Sequence, residues 1–431
     1  MSSPTDGGAA EAAKFSGWSI VGIAFVAQFL ANAVTLSAFG NFVRPLSEAF
    51  NVERSTIGFG LSIAVLTLGV AGPFVGRWLD RGLARRMMSI GALVSGLGLL
   101  LLSRTQTLAQ FGLVFIGLVC MGAAFFGVMP SMVLVANWFV RRRGLALGLT
   151  VAGATLSSYV APASAQYLID GYGWRTAVAA FGVFTIVVAV PLFGFMAVGR
   201  PEDIGQLPDG DAAVQPEPEE GEQAEATSGD EVIETGALFR DQRLWLLAVG
   251  FGLVMTSPIV LIGALVPFGT DLGFTEQQAN VFFLAMMPCS ILGKVVVGGL
   301  ADMAPIKPSI LMVVLVNILV WMIFYTEPSY SLFIVTGAIY GIGIGGASPL
   351  QGVAMGLCFG RANFGRASGI GGIAMVPLLA LASAASQVLL RETGSYHAGF
   401  LLQIGLLCLG GVLLMIVKLP NSPAAANAAA A

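Results

Sequence analysis

One lysine, Lys294, stands inside the apolar run PCSILGKVVVGGLAD, which extends from Pro288 to Asp302. An ammonium at the centre of a bilayer costs about 2.5–3.5 kcal/mol on insertion scales, so such a residue is a functional candidate by default. None of the 24 acidic residues lies in the middle of an apolar run, so no carboxylate partner is evident at the depth of Lys294. A buried cation without an internal anion predicts a site for an anion from outside, and a substrate carboxylate is the natural candidate.

The alternative is that the long side chain carries its charge to the nearer membrane surface. Lys294 lies eight residues before Asp302, which corresponds to about 12 Å along a helix. Helical Cβ atoms tilt toward the helix N-terminus, however, so the side chain is expected to lean toward the midplane and away from that surface. We favour a functional lysine and keep the surface-seeking alternative open.

Other polar residues inside apolar runs are candidates for the substrate-binding surface. They occur in pairs on three predicted spans: Gln28 and Asn32, Tyr159 and Gln166, and Tyr340 and Gln351. Each of them could equally form a hydrogen bond between helices, which is common in membrane bundles.

The sequence offers no chemistry for an enzyme. The four cysteines lie in apolar runs without metal-ligand or redox spacing, and there is one histidine. Without buried carboxylates, the chain has neither a nucleophile–base pair nor a metal cluster. We therefore predict no enzymatic activity, no metal and no cofactor.

Composition identifies the elements that position these residues as membrane helices. Hydrophobic residues make up 56% of the 431-residue chain and charged residues 10%, whereas a soluble domain carries about 25% charged residues. Apolar stretches of about 20 residues recur along the chain, which predicts an all-α membrane protein with the lipid bilayer as its partner. The twelve predicted spans are 17–43, 56–79, 86–103, 108–138, 144–169, 175–198, 244–269, 277–301, 309–326, 330–357, 366–390 and 397–417.

The spans divide into two six-helix bundles joined by an acidic connector. The predicted parts are a cytoplasmic tail at 1–16, a bundle at 17–199, a connector at 200–240, a second bundle at 241–418 and a tail at 419–431. The connector is rich in Pro, Gly and acidic residues, a composition that does not bury enough apolar surface to become ordered. It is interpreted as a flexible tether, with a regulatory docking segment as the alternative.

The basic residues orient the protein in the membrane. With both termini inside, fifteen of the 21 lysines and arginines fall in cytoplasmic segments and five in outer segments. This asymmetry follows the positive-inside rule. It predicts a multi-pass protein of the cell (inner) membrane with both termini cytoplasmic. The net charge of −3 gives no indication of nucleic-acid binding.

Two loops at matched positions indicate an internal duplication. GRWLDRGLARRM links spans two and three, and GGLADMAPIKP occupies the same place in the second half, with Gly299, Asp302 and Lys307 in register. Such repeats are common in transporters. The first segment resembles the loop motif of the major facilitator superfamily, and the resemblance extends over nearly the whole chain. It implies two pseudo-symmetric six-helix bundles, and it implies gating or structural roles for Gly76, Asp80, Arg81, Arg85 and Asp302.

A second stretch narrows the resemblance. NWFVRRRGLALGLTVAGA is similar to the helix four-to-five signature of the monocarboxylate porters and oxalate–formate exchangers, with Arg141, Arg142 and Arg143 following an aromatic pair. The resemblance implies gating or structural roles for these three arginines. FGRANFGRASG and TGSYHAGF also resemble sequences common in bacterial members. In this group helix eight carries a basic residue, usually Arg, four residues ahead of a Gly, and Lys294 and Gly298 match that spacing.

The chain departs from this pattern in ways that bear on the substrate. Lysine lacks the bidentate grip of arginine on a carboxylate and releases its proton more readily. Ser290 stands where some members carry an Asp, and span eleven has no second basic residue. One positive charge suits a monoanion better than a dianion.

The predicted function is secondary active transport of small organic monocarboxylate anions by alternating access, by a protein working as a monomer. Proton coupling depends on the hypothesis that Lys294 itself takes up a proton together with the anion. Anion exchange, uniport, carriage of an uncharged or amphipathic solute and a transporter-like sensor are the alternatives.

Overall fold

The computed structural model describes residues 15–80, 82–210 and 233–419, which are largely helical and contain no strand. The predicted all-α membrane fold is confirmed in these ranges. The helices are α1 Gly17–Phe50, α2 Arg54–Asp80, α3 Ala84–Leu102, α4 Leu108–Trp138, α5 Arg143–Tyr172, α6 Trp174–Met196, α7 Gln242–Asp271, α8 Glu276–Met303, α9 Ile306–Tyr325, α10 330–359, α11 361–393 and α12 Tyr396–Ile416. The predicted tails lie almost wholly outside the described residues, and so do Arg81 and connector residues 211–232.

Helices α10 and α11 form one continuous element, Tyr330–Thr393, that turns at Gly360. Gly360 has φ 69° and ψ −176°, a combination that only glycine adopts readily because it has no Cβ. The turn separates the tenth and eleventh predicted spans. Counting the element as one, the described residues hold 11 helices long and apolar enough to cross a membrane.

Large apolar side chains cover the outside of the bundle, including Phe59, Phe74, Phe195 and Leu284. An exposed apolar surface of this extent is stable only against lipid. Aromatic side chains such as Trp138 and Trp321 fill the interior. The apolar residues of the sequence therefore form both the lipid-facing surface and the interior of the bundle.

The two halves of the molecule, α1–α6 and α7–α12, meet mainly along the helix pairs α5–α8 and α2–α11. A Cβ atom built on Gly144 would collide with the carbonyl of Gly298, and one built on Gly76 would collide with the backbone at Gly365. Helices in lipid approach this closely only where small residues meet. Both contacts lie at one end of the bundle, named here the basic end, where Gly76, Arg85, Arg143, Asp302 and Arg361 are found.

Part of the acidic connector is docked on the basic end. The Asp209 carboxylate accepts hydrogen bonds from the amides of Val140 (2.9 Å) and Arg141 (2.8 Å), and Glu202 forms an ion pair with Arg361 (2.8 Å). The carboxylate of Asp209 meets amides that precede α5 and have no helical partner. The prediction of a flexible tether is therefore wrong for residues 201–210.

Candidate functional site

Lys294 lies within α8 and is 8% exposed. Its Nζ donates a hydrogen bond to Ser290 Oγ, one turn toward the helix N-terminus, at 3.1 Å. The predicted lean of the side chain is confirmed, and the ammonium does not reach toward the end of the helix at Met303. Within the described ranges no carboxylate forms an ion pair with Lys294.

Close backbone contacts enclose Lys294 between three helices. A Cβ on Gly148 of α5 would collide with the Lys294 carbonyl, and a Cβ on Gly345 of α10 would collide with the Ser290 carbonyl. Gly293, beside the lysine, packs in the same way against Ile342. The lysine therefore lies where α8 packs against α5 of the first half and α10 of the second half.

A central cavity of about 310 Å³ lies between the halves at the same level. It is lined by residues of α1, α2, α4, α5, α10 and α11, and methionines 129, 132 and 355 form part of its apolar wall. The polar lining residues are Asn32, Thr35, Ser348, Gln351 and Ser368. None of the described lining residues is charged.

Lys294 is not part of the cavity surface in this structure, although the sequence predicted it there. Val151 lines the cavity one turn from Gly148, and Ser348 lines it one turn from Gly345. Each of these glycines touches the lysine turn of α8. The backbone of the lysine turn of α8 therefore touches α5 and α10 one helical turn away from two residues of the cavity wall.

Asn32 is the predicted residue that joins the cavity most directly. Its Nδ2 donates to Ser37 Oγ (2.7 Å) and to the Ala154 carbonyl of α5 (2.9 Å), with Ser158 Oγ at 3.4 Å. The π-helical turn Ala33–Ser37 follows it, and it brings Ser37 back toward Asn32. Such turns often mark functional sites.

Gln351 of α10 also lines the cavity, and its Nε2 faces the Met375 sulfur at 3.3 Å. Gln28 lies one turn before Asn32 but is fully buried, and neither polar atom of its side chain has a partner among the described residues. The structure thus groups two predicted residues, Asn32 and Gln351, on one surface, with Lys294 and Gln28 enclosed beside it.

The other three predicted binding residues lie elsewhere. Gln166 is exposed at the end opposite the basic end, where it bonds Asp170. Tyr159 donates to the Leu284 carbonyl at 3.4 Å. Tyr340 is fully buried, and its hydroxyl shares Ser257 with the indole of Trp321. None of the three lines the cavity described above.

At the basic end a carboxylate of the second half binds backbone amides of the first half. Asp302, in the last turn of α8, accepts hydrogen bonds from the amides of Gly144 (2.6 Å) and Leu145 (2.8 Å) at the start of α5. The first amides of a helix have no helical partner and carry partial positive charge, so a carboxylate is stabilised there. We name this contact the Asp302 latch.

The predicted gating arginines lie at the same end of the molecule. The buried guanidinium of Arg143 donates to the carbonyls of Phe139 and Ala136, near the last turn of α4. Arg85 donates to the Gly194 carbonyl of α6 at 2.6 Å. The Arg141 and Arg142 amides bind Asp209. The side chain of Asp80 and all of Arg81 lie outside the described residues.

Sequence reasoning missed the small hydroxyl groups around Asn32 and the methionines of the cavity wall. Ser37 and Ser158 are separated by about 120 positions and meet only because α1 packs on α5. The methionines look like ordinary core residues in the sequence. No local pattern distinguishes either group.

Comparisons with known proteins agree with this architecture. Residues 21–329 match the family model described as Major Facilitator Superfamily. The MFS-type transporter pynF of Aspergillus niger is 28% identical over 62% of this chain, and the match spans 57% of that protein. Monocarboxylate transporter 2 of Mesocricetus auratus is 23% identical over 96% of this chain and 84% of that protein. A solved double-Trp mutant of XylE has a TM-score of 0.73 and 13% identity, and covers 96% of this chain and 98% of its own.

Proposed function

The chain belongs to the major facilitator superfamily of transporters, and we propose that it carries small organic monocarboxylate anions, with Lys294 as the counter-charge of the anion. The carrying observation is the buried ammonium, whose single hydrogen-bond partner in the described part of the chain is Ser290. A lysine has three donors, and burying its charge without an anion is unfavourable. A monoanion supplies the missing charge and the missing acceptors.

Transport by alternating access is part of the proposal. The Asp302 latch and the glycine contacts hold the basic end shut, and opening that end separates α5 from α8. Because Lys294 lies behind the α5–α8 contact, the same movement would uncover its ammonium. Substrate access and the gate would thus share one pair of helices.

Proton coupling is proposed through Lys294 itself, which would hold the transported proton on Nζ while the anion is bound. The described ranges place no carboxylate beside it that could take this role. An inward proton gradient imposed on vesicles should accelerate uptake of the anion. A rate that does not respond to the gradient would favour exchange or uniport.

A second candidate is a carrier of an amphipathic or uncharged solute. The observation in its favour is the cavity itself, which is largely apolar and holds no charged side chain among its described lining residues. In that case Lys294 would be structural, and uptake would not depend on its charge.

We also propose that the basic end is cytoplasmic, that the protein resides in the cell (inner) membrane with both termini inside, and that it works as a monomer. Fifteen of the 21 basic residues support this orientation. Reagents that do not cross the membrane, applied to intact cells, should modify a cysteine introduced at the exposed position Tyr172 and leave one at Met303 unmodified.

The test of the proposed function is uptake of labelled monocarboxylates into proteoliposomes by wild type and Lys294→Gln. Removing one partner of a buried charge pair costs about 2–5 kcal/mol, so uptake should fall by at least about 30-fold. Lys294→Arg should retain part of it.

Lys307→Gln is the matched control, because Lys307 binds the Met415 carbonyl and does not line the cavity. Unchanged uptake in Lys294→Gln would overturn the proposal. Ligand binding by wild type without any flux would favour a sensor.

A further inference from the structure

The polar groups of the central cavity differ in which hydrogen-bond donors and acceptors they leave available to a ligand. Both amides that line it, Asn32 from the first half and Gln351 from the second, direct their NH₂ groups at protein atoms. An amide carries two donors on nitrogen and an acceptor oxygen. The groups that stay available therefore depend on which way each amide points.

The orientation of Asn32 is fixed by its neighbour on α5. The Ala154 carbonyl can only accept a hydrogen bond, and it lies 2.9 Å from Nδ2. Turning the amide over would set two oxygens against each other. The Nδ2 also reaches Ser37 Oγ at 2.7 Å, so its donors are committed. No described residue donates to Asn32 Oδ1, and the partly buried side chain lines the cavity.

Gln351 repeats this arrangement in the second half. Its Nε2 lies 3.3 Å from the Met375 sulfur, and a thioether accepts hydrogen bonds but cannot donate them. Its Oε1 has no donor among the described residues and the side chain is only partly buried. The opposed walls thus each present an amide oxygen.

The hydroxyl groups of the cavity do not change this excess of hydrogen-bond acceptors over donors. Thr35 donates its proton to the Ala31 carbonyl at 2.7 Å, which leaves only its lone pairs free. Ser348 and Ser368 can rotate to donate or accept. The described lining residues therefore present three acceptors, Asn32 Oδ1, Gln351 Oε1 and Thr35 Oγ1, and no charge.

We infer that this cavity selects monocarboxylates that carry a hydrogen-bond donor, a hydroxyl or N–H, on an apolar body away from the carboxyl group. This inference rests on the proposed function, in which Lys294 receives the carboxylate. The donor would bind Asn32 Oδ1 or Gln351 Oε1. A ligand whose only other polar atom is an oxo oxygen has no donor for these acceptors. Its binding would displace the water molecules that donate to the amide oxygens, and those hydrogen bonds would not be replaced.

The apolar body follows from the cavity wall. Methionine side chains are flexible and polarisable, so they adapt to apolar groups of different shape. At about 310 Å³ the cavity lies at the small end of the range for ligand pockets. A small acid with an apolar chain and a hydroxyl group fits both conditions.

The experiment compares 2-, 3- and 4-hydroxyhexanoate with the corresponding oxohexanoates as competitors of uptake by the full chain in proteoliposomes. The best hydroxy acid should compete about tenfold better than its oxo partner, the upper range for one net hydrogen bond. In Gln351→Met or Asn32→Leu the ratio should approach one.

Gln387→Met is the matched control, because Gln387 is an exposed glutamine of α11 that contacts α7 and does not line the cavity. It should keep the wild-type ratio. Equal competition by hydroxy and oxo acids in wild type would overturn the inference, and so would a ratio unchanged in both cavity variants.

Methyl esters of the same pairs separate this inference from the proposed function, because they lack the carboxylate charge. Their effect on the unfolding temperature of the purified protein is the readout. A larger stabilisation by hydroxy esters supports the inference even if no acid is taken up, which would refute the proposed function alone. Equal stabilisation by both esters, with acid uptake intact, would refute the inference alone.

Discussion

Removing the charge of Asp302 should open the basic end. The carboxylate accepts two amide hydrogen bonds across the boundary between the halves, from Gly144 at 2.6 Å and Leu145 at 2.8 Å. Asp302→Asn preserves the shape, but it removes the charge and turns an NH₂ group toward one of the amides. When the end opens, water replaces these bonds, so only their net value is lost.

The size of the effect follows from the position at a helix N-terminus. A carboxylate there contributes up to about 2 kcal/mol in partly buried geometry, and Asp302 is partly buried. Since about 1.4 kcal/mol corresponds to a factor of ten, loss of about 2 kcal/mol shifts the closed-to-open ratio about 30-fold toward opening.

The assay is labelling of Ser348→Cys, a cavity position, by a maleimide that does not cross membranes, in a background without the four native cysteines. Applied from the basic end, the reagent should react up to about 30-fold faster when Asp302→Asn is present, and more slowly from the opposite end. Asp271→Asn, an exposed carboxylate at the far end of α7, is the control. Equal rates in all three proteins would refute the latch.

Three further predictions concern stability and packing. Lys294→Met should raise the unfolding temperature, because it removes a buried charge with no ion-pair partner in the described chain; a lower temperature would mean that a partner is missing from the account. Gly148→Leu should favour opening of the basic end, because even a Cβ at this position collides with the Lys294 carbonyl; unchanged cysteine labelling would contradict this. Tyr340→Phe should lower the free energy of unfolding by about 1 kcal/mol through the lost hydrogen bond to Ser257 and leave uptake unchanged; abolished uptake in a folded protein would return Tyr340 to the binding site.

The helices could be predicted because a membrane helix is defined by the length of its apolar run. Two apolar runs predicted α10 and α11 as separate spans. In the structure they follow each other without a loop, because Gly360 alone makes the turn between them. The docked part of the connector could not be predicted, because Asp209 is held by amides about 70 positions away. Composition indicates how much apolar surface a segment can bury, but it does not indicate which distant backbone groups its carboxylates bind.

The site was harder to predict because a helix face has different neighbours at different depths. Tyr340 and Gln351 are eleven residues apart and, at 100° per residue, project nearly the same way from α10. Yet Ser257 and Trp321 cover the first, while the second reaches the cavity. Gln166 lies about 34 Å along α5 from its start, so its place at the opposite end could have been read from the spacing alone.

Lys294 shows both what the sequence tells and what it omits. A charge in an apolar run without a carboxylate at its depth was visible in the sequence, and so was the direction of its lean. Its absence from the cavity surface was not visible, because it depends on how closely Gly148 lets α5 approach α8.

The pairing of Lys294 with the anion is tested most directly by a binding cycle that compares a monocarboxylate with its uncharged amide in wild type and Lys294→Gln, measured by calorimetry on the purified protein. If the ammonium is the counter-charge of the anion, wild type should bind the acid about tenfold more tightly than the amide, since a hydrogen bond between charged groups contributes about 1–1.5 kcal/mol more than one to a neutral group. Lys294→Gln should bind both about equally. A preference for the acid that survives in Lys294→Gln would contradict this role of Lys294, because the anion would then be held by some other group.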